Sequence, residues 1–138
     1  MIAVTTTVAQ DVINNNVDPE YLYVLSAKSG SFEDGKLTLN DVPMVVYFSD
    51  RPYRIAGHIS LKKFVEQWAK GADSFKADPP NATLSIFDEQ GGKDVVLEIS
   101  DPHQKGDYLT FNIRILSGRL PKTIPAVSLF IDGVGNPS

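Results

Sequence analysis

Residues 82–100 read ATLSIFDEQGGKDVVLEIS. An extended run from Ala82 to Asp88 meets Gln90-Gly91-Gly92, and a second run from Lys93 to Ser100 carries Val95, Leu97 and Ile99 on one side. A side-chain period of two on both sides of a glycine-rich turn predicts a β-hairpin. Downstream, Asp101-Pro102 to Gly106-Asp107 offers the next turn, after which Leu109, Phe111, Ile113 and Ile115 alternate with Thr110, Asn112 and Arg114. A last strand is expected over Val127, Leu129 and Ile131.

Upstream the same period returns. Leu22 and Val24 alternate with Tyr21, Tyr23 and Leu25 until Lys28-Ser29-Gly30-Ser31 closes the run. Asp34-Gly35 is a strong turn dipeptide before Lys36 to Leu39, and Asn40-Asp41 leads into Met44 to Phe48, with Pro43 acceptable only at a strand start or edge. Residues 60–71 are the one helical segment: Ser60 suits the N-cap, Leu61, Phe64, Val65 and Trp68 share one face, and Gly71 suits the position after the last turn. The single apolar stripe predicts one face packed on the sheet, with Trp68 in the core. Strands with one helix exclude a βαβ arrangement and predict a mainly β fold, a two-layer antiparallel β-sandwich of about seven strands with one crossing helix. Residues 1–19 read as a loosely attached arm, 20–132 as a single β-sandwich domain and 133–138 as a tail.

Composition narrows the function. The 138 residues carry a net charge of −4, which argues against a nucleic-acid partner, since phosphate binding needs a concentrated basic face. The longest apolar run, Met44 to Phe48, falls far short of the ~20 residues of a spanning helix, so no membrane insertion is expected. The absence of cysteine excludes disulfides, thiolate nucleophiles and zinc fingers. The opening MIAVTTT lacks the basic and apolar regions of a signal peptide, which fits a cytoplasmic chain or a mature exported form.

The chemically dense stretch is FSDRPYRIAGHIS, residues 48–60. Turn chemistry accounts for Ser49, Asp50, Pro52 and Gly57 in a connection from strand to helix, and leaves Arg51, Arg54 and His58 without a structural reason. The two guanidiniums can clamp a carboxylate or phosphate, aided by the helix start at Ser60. They can equally pair with Asp50, Asp73 or Asp78 and hold the connection down; of the two, Arg51 is the expected structural residue and Arg54 the freer one. A second polar segment beyond the helix adds Asp73, Asp78 and Asn81, with Asp78-Pro79-Pro80 as a stiff turn. Catalytic signatures are missing: there is no G-x-S-x-G elbow, and His58 and His103 sit at no diagnostic offset from a serine. No H-x-H, H-E-x-x-H or EF-hand pattern occurs either, so neither metal nor cofactor is expected.

SDRPYRIAGH (49–58), a following helix ending in Trp68, DSF (73–75), DPPNATLS (78–85) and SLFID (128–132) together resemble a family of small exported bacterial proteins of uncharacterised function. The likeness spans Tyr21 to Asp132. It implies a periplasmic or secreted location, with the signal peptide absent from this sequence, and it implies no activity. The expected function is a non-catalytic exported domain that binds a small anionic ligand or a protein partner through Arg51, Arg54, His58, Asp73, Asp78 and Asn81. Two alternatives stand beside it: a small hydrolase or metal-assisted enzyme using His58 with Asp50 or Asp78, and an assembly module presenting the helix and the Tyr21/Tyr23 strand.

Overall fold

The computed structural model describes residues 20–70, 75–88 and 91–134. The expected arm, Gly71, Asp73 and residues 135–138 lie outside them. Ten strands form one antiparallel sheet: β1 (Glu20–Ala27), β2 (Ser29–Glu33), β3 (Lys36–Asn40), β4 (Val45–Ser49), β5 (Ala56–Ile59), β6 (Asn81–Asp88), β7 (Gly91–Lys105), β8 (Tyr108–Ser117), β9 (Thr123–Ile124) and β10 (Val127–Val134). Their order is β5-β4-β1-β10-β6-β7-β8-β3-β2-β9. One helix, α1 (Leu61–Gln67), interrupts them. Over the described residues the fold is therefore mainly β with a single helix, as the sequence predicts.

Three strands beyond the expected set appear. The first, β2, exists because Lys28-Ser29-Gly30-Ser31 is a bend in an extended chain rather than a turn. Only Lys28 separates β1 from β2, and only Pro125 and Ala126 separate β9 from β10. Ala27 lies opposite Val127, and Gly30, three residues on, lies opposite Ile124, three residues back. The register thus crosses the corner unbroken, so that β1–β2 and β9–β10 form one long two-stranded ribbon. From β10 the pairing continues through β6, β7, β8 and β3 and returns to β2, so the hydrogen-bonded circuit closes on the ribbon where it began. All ten strands thus belong to one sheet, continuous through this corner.

The corner explains its own residues. Lys28 N–H donates to the Asn40 carbonyl (3.1 Å), and the Asn40 side-chain amide donates to Ser29 Oγ (3.0 Å). At Gly30 a Cβ would sit 2.6 Å from the Thr38 carbonyl oxygen, so only glycine lets the two backbones approach. The Asp34-Gly35 turn forms as expected, both residues having positive φ (53° and 74°). Asp101-Pro102, by contrast, does not end its strand. A bulge between Ser100 and His103, with Asp101 at φ 49°, absorbs it, and β7 runs on to the turn at Gly106-Asp107.

Inside the circuit, Leu25, Leu37, Leu39, Leu84, Leu97, Ile99, Leu109, Phe111, Ile124, Leu129 and Ile131 are fully buried. The helix packs onto this core with Leu61, Phe64 and Trp68 inward. Trp68 lies 4.8 Å from Phe75 and 5.6 Å from Phe111, and Phe64 lies 5.7 Å from Tyr23, measured between ring centroids. Ser60 caps the helix as expected, its Oγ accepting from Lys63 N–H (3.1 Å), but the helix ends at Gln67, a turn earlier than the sequence suggests. Tyr21 and Tyr23 point inward and are 6% exposed, so the assembly surface expected of them is core instead.

Candidate functional site

The stretch 48–60 is a hairpin, not a connection from strand to helix. β5 pairs antiparallel with β4, Ala56 opposite Phe48 and Ile59 opposite Val45. Gly57, expected as a bend, lies within β5 opposite Tyr47, whose ring covers it: a Cβ there would meet Tyr47 Oη at 2.5 Å. The turn is built by its own polar groups. Ser49 N–H donates to the Ile55 carbonyl (2.8 Å), Ile55 N–H donates to Ser49 Oγ (2.7 Å), and Tyr53 N–H donates to the Asp50 carbonyl (3.1 Å). Asp50 then ties the turn to the start of β1, since Glu20 N–H donates to Asp50 Oδ1 (3.2 Å) and Asp50 N–H to the Glu20 carbonyl (3.0 Å).

Arg51, Arg54 and His58 are all exposed. Arg54 holds a left-handed backbone, φ 54°. Among the described residues the one ion pair is Arg114 with Glu98 (3.2 Å), so neither arginine is tied to Asp50 or Asp78; Asp73, the third partner expected, lies outside the described residues. Asp50 spends its carboxylate on a backbone amide. His58 contacts neither Asp50 nor Asp78 by hydrogen bond or ion pair, and no group of acidic and histidine side chains among the described residues is arranged to hold a metal.

Asp78 and Asn81 are exposed. Asn81 opens β6, which is four places from β5 in the sheet, about 19 Å along it at the usual spacing of ~4.8 Å between strands. The hairpin residues are brought together on β4, β5 and their turn, and Asn81 is not among them.

A notch of about 350 Å³ flanks the hairpin on its β1 side and is lined by Glu20, Tyr21, Leu22, Phe48, Ser49, Asp50 and Asp132. Its three carboxylates come from β1, the β4 end and β10, so no local pattern in the sequence announces it. A second cleft, of about 820 Å³, lies between the start of β7 and the segment 118–125, lined by Lys93, Asp94 and Arg119 together with apolar side chains such as Val95 and Leu120. Under the hairpin, Tyr21, Tyr23 and Tyr47 cluster within 6.5 Å of one another, ring centre to ring centre. Burial foremost, with the neighbouring Tyr21 and Tyr47 hydroxyls adding to it, pushes the Tyr23 hydroxyl from 10.0 up to about 12.

A scan against protein-family models, a search of curated proteins and a search of solved structures return no match to this chain. No helix among the described residues is long and apolar enough to cross a membrane.

Proposed function

We propose that this protein is a non-catalytic binding domain that recognises an anionic group, carried by a protein partner or a small molecule, through the β4–β5 hairpin. One observation carries the reading. Residues 51–65 hold Arg51, Arg54, Lys62 and Lys63 with His58 and no carboxylate, within a chain of net charge −4. All five side chains are exposed and none is ion-paired among the described residues. A local excess of unpaired cations against an acidic background is a surface that gains by meeting negative charge. Its openness, without an enclosed pocket, favours a protein partner over a small molecule. Export to the periplasm or beyond the cell is the location that the family resemblance implies.

The test is calorimetric titration with an acidic peptide, and in parallel with phosphate and citrate, at low and physiological salt. The peptide is expected to bind in a salt-sensitive way and to be lost by the double variant Arg51→Glu/Arg54→Glu, which leaves the core untouched. Binding that ignores both salt and charge reversal, or no binding to any of these anions, would overturn the reading.

A further inference from the structure

The end of the sheet at β5 is open, and the register shows which groups it presents. Ser49 N–H donates to the Ile55 carbonyl while Ile55 N–H donates to Ser49 Oγ, so by the alternation of an antiparallel ladder Tyr47 with Gly57 and Val45 with Ile59 are the next bonded pairs. Asp50, bonded to Glu20, sets the complementary parity on the other side of β4. Ala56 and His58 therefore turn their N–H and C=O groups away from β4. Among the described residues neither makes a further hydrogen bond, both are exposed, and β5 lies last in the sheet. The usual protections of such an edge are missing: β5 contains no proline or lysine, and its pairing with β4 has no bulge. Ala56 is also too small to cover Phe48 opposite it, which is 46% exposed.

We propose that β5 captures an extended acidic segment of a partner protein by strand addition, the segment bonding to the backbone of Ala56 and His58 while its carboxylates meet Arg51 and Arg54 at one end of the strand and Lys62 and Lys63 at the other. The inference rests on the binding function proposed above and adds how the partner is held. Charge selects the occupant. A second copy of this chain added along β5 would set one cationic cluster against another, whereas an acidic strand relieves both ends at once. The strand offers only two outward residues, so the ladder supplies direction and register and the flanking charges supply much of the attraction.

Two peptides of equal charge separate the strand from the charge: an acidic hexapeptide rich in valine and threonine, and its twin N-methylated on alternate residues so that it cannot pair. The protein variant is Ala56→Pro, which removes an outward N–H without touching the ladder to β4. A thermal melt unchanged from the parent checks that it folds, and amide exchange in the parent protein gives a readout that needs no variant. The parent peptide is expected to bind, to slow exchange at Ala56 and His58 but not at Gly57, and to lose about tenfold or more in affinity on N-methylation or Ala56→Pro. Equal binding of both peptides, lost only on charge reversal at Arg51 and Arg54, would overturn strand addition and leave anion recognition standing. Binding of neither would sink both. A dimer in the absence of peptide, abolished by Ala56→Pro, would overturn the acidic occupant in favour of a second copy.

Discussion

The two ends of the ten-stranded sheet are handled in opposite ways. At the β9 end the chain runs through Pro125 and Ala126 directly into β10, the ribbon continues without a change of register, and Ile124 is fully buried. At the β5 end no further strand follows among the described residues: Ile55 is 40% exposed, and Ala56 and His58 are exposed. A closed circuit of hydrogen bonds removes an edge outright, whereas a hairpin attached to one side of that circuit leaves an edge behind. The cations that form no ion pair among the described residues stand at this open end.

If this contrast holds, substitutions inside the circuit should be costly and those on the hairpin nearly free. Trp68→Ala and Phe111→Ala each remove a large buried ring, at 5% and 0% exposure, and should cost ~3–5 kcal/mol; Phe48→Ala on the outer face should cost less than ~1 kcal/mol. Urea denaturation of the three variants measures this, and a Phe48 loss equal to that of Phe111 would break the contrast.

A smaller effect concerns the seam between the two regions, where Tyr23 lies beneath the hairpin. Its hydroxyl titrates at about 12 in the folded protein against 10.0 for the ordinary group. Below pH 10 the proton is held in both states and the contribution to stability is complete. Between pH 10 and 12 the unfolded chain releases it and the folded one does not, so stability falls as pH rises through that window. Melting temperature followed into alkali should show this decline, and Tyr23→Phe should remove part of it; an identical decline in the variant would count against the assignment.

Smaller again is Ser60→Ala, which removes the cap that joins the hairpin to the helix and should cost about 1 kcal/mol, with Ser60→Asp restoring most of it. The least disturbance is expected at the tip. Arg51→Ala should stay within ~0.5 kcal/mol of the parent. Arg54→Gly should be neutral or stabilise by up to ~1 kcal/mol, because glycine adopts φ 54° without strain. Loss of stability in either arginine variant, read from thermal melts, would make the tip a structural anchor after all.

The same contrast runs through what the sequence disclosed. The hairpin around Asp34-Gly35, the alternation in β8 and the stripe Leu61, Phe64, Trp68 were legible because turn chemistry and side-chain period are local. The corner was not: Lys28 to Ser31 carry turn residues, yet Gly30 is there for a close approach to Thr38, a contact between strands. Both β5 and β9 were missed because four and two residues are too few to establish a period. Of the candidate site, Arg51, Arg54 and His58 stood out as charge within a short window, and the structure keeps them together on one hairpin. Their separation from Asn81, and the gathering of Glu20, Asp50 and Asp132 into one notch, depend on strand order, which no local pattern encodes.

The unbroken ribbon also sets an order of events in time. β10 leaves the ribosome roughly a hundred residues after its partner β1, Glu20 pairing with Val134 at one end of the ribbon. At roughly 5–20 residues per second of synthesis the first strand waits on the order of ten seconds for its mate, while β2–β3, β6–β7 and β7–β8 can each zip within microseconds of leaving the ribosome. Ring closure is consequently the slow, non-local step, and until it happens β1 and β2 are sticky edges in a nascent chain. Each of those two strands then has one paired side and one that waits for the ribbon to close.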